Sequence, residues 1–243
     1  MNDININREE YKYFINNADV LLLGKNLTKI LNKDSNSDIV SKHYTISSLY
    51  FDTPDSKDLN EKLDGILNRK KYRIRLYNKD LKTIKLELKK KVGTFITKES
   101  VFLSRYDAKN LILGEYDKIK NSNDVAKKIL INMQALGYKP RVIVEYDRQA
   151  YYHPHGNIRI TLDKNLRTFN SNIDILNLKN SLSTPVFFHN DQILEIKFSK
   201  SLPSFLSILL SNFQLKRCAI SKYTIAQRFI DASKRRDHLI APF

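Results

Sequence analysis

Along RKKYRIRLYN, residues 69–78, Tyr72, Ile74 and Leu76 alternate with Lys71, Arg73, Arg75 and Tyr77. Side chains two apart share one face of a strand, so the segment predicts a strand with one apolar and one strongly basic face. Similar patterns, rich in β-branched and aromatic residues, predict strands at 9–15, 43–52, 82–91, 95–104, 141–152, 158–164, 185–188 and 192–198. Helices are expected at about 19–31, 107–113, 123–136, 202–213 and 220–235, with a short one within 53–65 and Gly137 closing the third. The separators between 69–78, 82–91 and 95–104 are short, which fits antiparallel hairpins. Strands outnumber the crossover helices that a parallel sheet requires, so the fold class is α+β with an antiparallel sheet. No linker, repeat or low-complexity tract divides the chain, which reads as one domain over 1–243 with a frayed tail after Arg236.

The polar faces share one design. Arg8, Glu10 and Lys12 fall together, as do Lys71, Arg73 and Arg75, then Lys85, Glu87, Lys89 and Lys91. Arg159, Thr161 and Asp163 form another set, and Glu195 with Lys197 a fifth. Any one of these could be the solvent face of an antiparallel sheet packed on helices. Two features of the set argue otherwise. Arginine recurs, and its planar fork matches phosphate geometry. The carboxylates come singly among the cations, as a hard metal ion beside phosphate oxygens requires. A sheet curled with these faces inward would form a tunnel for a polyanion, and closure into a barrel would remove its edge strands.

Composition sharpens this picture. Lys plus Arg number 42 and Asp plus Glu 26, giving a net charge of +16 that suits a polyanionic partner. Nucleic acid is one such partner, but no recognition-helix or RNA-binding signature is present and none is expected. The single cysteine, Cys218, excludes an intramolecular disulfide and fits a reducing compartment. The start MNDININREEY lacks the apolar core of a signal peptide, and no stretch is long enough to span a membrane. The chain therefore reads as cytoplasmic, with any membrane association made through a partner protein. Other features read as structural. His153 and His155 sit in an HPHG turn, and Tyr50, Phe51, Phe187 and Phe188 read as core. Residues 25–31 read as a packing helix, and Lys234, Arg235 and Arg236 as a solvated helix end.

Eight short motifs then follow in order: R-x-E-x-K at Arg8–Lys12, SLYFDT at 48–53, EKLDG with RKKYRIRLY within 61–77, LELKKK at 86–91, EYDR at 145–148, RITLD at 159–163, LEIKF at 194–198 and SKY at 221–223. Together they resemble the VTC-type polyphosphate polymerase domain, a branch of the triphosphate tunnel metalloenzymes or CYTH superfamily, over about 8–228. The resemblance implies an antiparallel tunnel barrel with flanking helices. It also implies transfer of the γ-phosphate of ATP to a polyphosphate chain, with release of ADP and a divalent metal, Mn²⁺ or Mg²⁺. By position it implies that Lys12, Arg73, Arg75, Lys89, Arg148, Arg159 and Lys222 act on the phosphates. Glu10, Lys98, Tyr146, Lys197 and Ser221 would contact substrate, and Glu195 would hold the metal. Arg8 stands where many tunnel enzymes carry a first carboxylate, as in the polymerase branch. Ala219 departs from the family's usual Lys or Arg, a loss that Arg217 could make good. The alternatives are a tunnel triphosphatase and a non-catalytic polyphosphate-binding module.

Overall fold

The computed structural model describes residues 8–33, 43–93, 95–153, 157–169, 173–187, 191–199 and 201–240. His155 and Phe188 lie outside the described residues, as does the side chain of Arg236. The strands are β1 (Arg8–Ile15), β2 (Asn32–Lys33), β3 (Tyr44–Asp52), β4 (Arg69–Tyr77), β5 (Ile84–Val92), β6 (Phe95–Leu103), β7 (Lys139–His153), β8 (Ile158–Thr168), β9 (Thr184–Pro185) and β10 (Gln192–Ser199). The helices are α1 (Asn17–Ile30), α2 (Lys57–Leu63), α3 (Arg105–Leu113), α4 (Asp124–Ala135), α5 (Ser204–Ser211) and α6 (Lys222–Ile240).

One antiparallel sheet runs β1-β10-β8-β7-β3-β4-β5-β6, with β2 added to β7 and β9 to β8. It curls, and the alternation predicted from sequence sorts its two faces. On the convex face of β4 and β5, Tyr72, Ile74, Leu76, Leu86 and Leu88 pack with Ala108 and Leu111 of α3 and Ile129 and Met133 of α4. On the convex face of β8 and β10, Ile160, Leu162, Leu194 and Ile196 pack with Leu23 and Leu27 of α1 and Leu206 and Leu210 of α5. A third apolar cluster lies on the concave face. There Ile46, Val142 and Val144 receive Tyr223, Ala226 and Ile230 of α6. Helix α6 thus occupies one side of the hollow and brings its first turn to the charged strands.

Four details differ from the sequence reading. The sheet is tunnel-like without a closed ladder: among the described residues β1 and β6 are not paired, and Lys89 of β5 instead reaches Glu10 of β1 at 3.4 Å. Strand β8 runs on to Thr168, past a polar Lys164-Asn165 pair that interrupts the alternation where β7 and β8 shift register. The strand expected at 185–188 is reduced to the two-residue β9, and α6 continues to Ile240 instead of fraying after Arg236. Gly137 does follow the last turn of α4 in the left-handed region, with φ +65°, a conformation that strains any residue with a Cβ.

Candidate functional site

Antiparallel register places the charged residues side by side. Tyr50 pairs with Arg73 and Ser48 with Arg75 across β3 and β4, and Arg73 pairs with Glu87 across β4 and β5. Lys71 pairs with Lys89, and Lys89 with Lys98. On the other wall Arg148 pairs with Asp163, Glu195 with Thr161 and Lys197 with Arg159. Lys12 pairs with Glu195 and Glu10 with Lys197. Each pair shares the concave face.

Three carboxylate centres hold these cations. Glu87, 1% exposed, takes Arg73 Nε and Nη2, each at 2.7 Å, Arg75 Nη1 at 3.7 Å and Lys98 Nζ at 2.5 Å. Burial pushes its carboxyl up, but Arg73, then Arg75 and Lys98, outweigh this and hold it well below the usual range. Asp163 receives Arg148 Nε at 2.6 Å and Nη2 at 2.7 Å, and Lys222 Nζ at 2.6 Å. Burial again opposes ionisation, and Arg148 and Lys222 overcome it. The third centre joins Glu10 and Glu195. Lys12 lies 3.3 Å from Glu10 and 3.6 Å from Glu195, and Lys197 lies 3.7 and 2.9 Å from them. Both carboxyls are lowered despite burial and their mutual repulsion, chiefly by Lys89 and Lys12 at Glu10 and by Lys197 and Lys12 at Glu195.

Tyrosines complete the wall. The Tyr50 hydroxyl accepts from Arg73 Nη1 at 3.0 Å, and the Tyr146 hydroxyl from Arg75 Nη2 at 3.4 Å. The Tyr146 ring lies 5.2 Å from the Arg148 guanidinium and 4.8 Å from Lys222 Nζ. The Tyr44 hydroxyl accepts from Arg159 at 3.2 Å. At the start of α6, Ser221 Oγ accepts from Lys71 Nζ at 2.9 Å and from the Thr224 N–H at 3.3 Å.

The space enclosed is a cavity of about 950 Å³ lined by thirteen basic and three acidic residues. Lys12, Arg73, Arg75, Lys89, Arg148, Lys222, Glu10, Tyr146, Lys197, Ser221 and Glu195 all border it. Lys98 and Arg159 do not; they line a second cavity of about 250 Å³ that shares Arg75, Arg148 and Lys197 with the first. The structure therefore brings every residue expected to act on phosphate, contact substrate or hold the metal to one of two neighbouring cavities.

Several residues at the site were left out of that selection. Lys71, Glu87 and Asp163 carried the signal, since the two-residue period already placed them on the basic faces. Tyr50 was read only as core. Its ring is indeed buried, stacked 5.1 Å from Tyr223, but its hydroxyl faces the passage. Arg73 and Arg75, expected to act on the phosphates, also neutralise the buried Glu87. Arg217 stacks on Tyr11 at 3.7 Å and borders the cavity beside Ala219. Lys70 also borders the cavity, but its ammonium lies over the Tyr72 and Tyr138 rings.

No group of three metal-ligating side chains occurs among the described residues. Glu10 and Glu195 are nevertheless ionised, adjacent and bound to lysines that can turn to an arriving anion. Two carboxylates suit a hard divalent cation that draws most of its oxygens from phosphate and water. The residues present fit such an ion.

Residues 7–230 match the family model of the VTC domain. Among solved structures, the chain is similar to the putative adenylyl cyclase HpAC1 of Hippeastrum, described as having a dominant triphosphatase activity. The TM-score is 0.54 at 14% identity, covering 90% of this chain and 94% of that one, and the likeness shows the fold. A putative adenylate cyclase of Bacillus halodurans is also similar, with TM-score 0.49 and 14% identity over 89% and 96% of the two chains. No curated protein matches the sequence. Among the described residues, no helix is long and apolar enough to cross a membrane.

Proposed function

The chain belongs to the VTC-domain family, and from that premise we propose that it is a metal-dependent polyphosphate polymerase acting on ATP. The observation that carries this reading is a pair of neighbouring cavities that share Arg75, Arg148 and Lys197 as lining and are bordered chiefly by cations. A linear polyanion can lie along such a passage, and its successive phosphates meet successive side chains.

In the reaction, a terminal oxygen of the acceptor chain attacks the γ-phosphorus of ATP. One P–O bond forms, the bond to the β-phosphate oxygen breaks, and ADP leaves with the negative charge. The attacking oxygen is already ionised at neutral pH, so no general base is needed. Charge spreads over the transferred phosphoryl oxygens in a loose transition state, and catalysis is mainly alignment and electrostatic stabilisation. Arg73 and Arg75 approach from one wall and Arg148, Lys222 and Lys12 from the other, each already held by a carboxylate or a tyrosine hydroxyl. Preorganisation of this kind limits the reorganisation required as charge develops. Glu195 and Glu10 would hold a divalent cation, which when bound neutralises phosphate oxygens and helps to set the transferred group in line.

Incubation with ATP, Mn²⁺ and a short polyphosphate primer tests the reading by gel electrophoresis and nucleotide chromatography. Long polymer with equivalent ADP is expected. Orthophosphate without polymer would instead identify a triphosphatase, and tight binding without turnover a polyphosphate-binding module.

A further inference from the structure

Most cations along the passage are already balanced. Glu87 serves Arg73, Arg75 and Lys98; Asp163 serves Arg148 and Lys222; Glu10 and Glu195 serve Lys12, Lys89 and Lys197. Lys71 differs. Among the described residues it has no carboxylate within ion-pair distance, and its contacts are Ser221 Oγ at 2.9 Å and the Tyr223 ring at 5.5 Å. The charges that act on it most are basic, Lys12 of β1, Lys62 of α2, Lys89 of β5 and Arg69 of its own strand, while Glu10 lies one residue further off, paired with Lys12 and Lys89, and Lys222 of α6 borders the same cavity. Partial burial and like-charge crowding both disfavour an ammonium. The Ser221 hydroxyl can serve either form, accepting from the ammonium or donating to the free amine.

We propose that Lys71 is a phosphate-binding residue of this passage through which the arrival of a polyanion draws a proton from solution. The inference rests on the phosphate-tunnel reading above and deepens it. A phosphate oxygen beside Lys71 supplies the missing counter-charge and offsets the repulsion from Lys12, Lys62, Lys89 and Arg69. Binding there displaces no internal ion pair, unlike binding at Arg73 or Arg148. In the free protein, burial first and these neighbours next bring the Lys71 amine down to about 7, so at pH 8 most of it is uncharged.

The experiment is calorimetric titration of tripolyphosphate into the whole protein with EDTA present, in buffers of different ionisation enthalpy, at pH 7, 8 and 9. Lys71→Arg, which stays charged throughout, and Lys71→Met, which cannot be charged, are measured beside the wild type. At pH 8 the wild type should take up about one proton more than either variant. Its affinity should fall by up to about tenfold per pH unit from 7 to 9 relative to Lys71→Arg. Lys71→Arg should bind with the flatter profile, and Lys71→Met more weakly with the same low proton count. Equal proton counts in the wild type and both variants overturn the proposal. Absence of tripolyphosphate binding overturns the tunnel reading with it, whereas the polymerase reading is decided separately, by the assay with ATP, Mn²⁺ and primer.

Discussion

Arg148 grips Asp163 across β7 and β8 through two parallel hydrogen bonds, Nε to Oδ1 at 2.6 Å and Nη2 to Oδ2 at 2.7 Å. Lys222 of α6 reaches the same carboxylate at 2.6 Å, so one buried acid aims two cations from different elements at the passage. Such a centre does more to orient than to stabilise, since desolvation of buried charges offsets much of their attraction.

Removing that acid strands its partners. Asp163→Asn should lower stability by about 3–5 kcal/mol, the usual cost of breaking a buried pair. Tripolyphosphate should restore a larger share of stability to the variant than it adds to the wild type, because the anion replaces the lost charge. Urea unfolding with and without tripolyphosphate measures both effects. Equal ligand stabilisation in the two proteins would count against Asp163 as a stand-in for phosphate.

Arg73→Ala with Arg75→Ala should cut tripolyphosphate affinity about 100-fold or more, at about 1.5–3 kcal/mol per charged hydrogen bond lost. The double variant should also unfold more easily, since Glu87 keeps only Lys98. Adding Glu87→Gln should recover stability without recovering affinity. Calorimetry and thermal unfolding of the double and triple variants separate the two duties of these arginines.

Glu87 also sets an acid limit. Its carboxyl is held below the unfolded value of about 4.3, so its contribution is present above that pH and fades as pH falls below it. Thermal unfolding between pH 6 and 3 should decline less steeply in Glu87→Gln than in the wild type.

Asp58 has the opposite sign. Burial raises its carboxyl to about 7, with Asp52 adding repulsion and the Tyr138 hydroxyl, donating at 2.8 Å, opposing both. The folded state then binds more protons than the unfolded between about pH 4 and 7, and stability falls as pH rises through that window. Asp58→Asn should abolish the decline and be more stable at pH 8 by about 2–4 kcal/mol. Urea unfolding at pH 5 and 8 measures the difference.

Metal removal should divide binding from turnover. Glu195→Gln, or EDTA treatment of the wild type, should leave tripolyphosphate affinity within about threefold while lowering polymer formation at least about 100-fold. Full polymer synthesis in EDTA would refute the assigned role of Glu195.

Alternation is a local property, so the faces of the longer strands and the composition of the site are legible along the chain. Tyr72, Ile74 and Leu76 had to go one way, and Lys71, Arg73 and Arg75 the other. Where local patterning weakened, so did the reading: Lys164-Asn165 concealed the rest of β8, and Tyr50 counted as core because one ring can be both packed and hydrogen-bonded. Which acid serves which base is set by the fold. Glu87 and Arg73 are 14 residues apart, but Asp163 meets Lys222 only because α6 returns to the concave face. Charge balance depends on distance in space, not along the chain. For that reason Lys71, one basic residue among many in RKKYRIRLYN, is set apart only when Lys12 of β1, Lys62 of α2 and Lys89 of β5 close around it and α6 brings Ser221 to its amine.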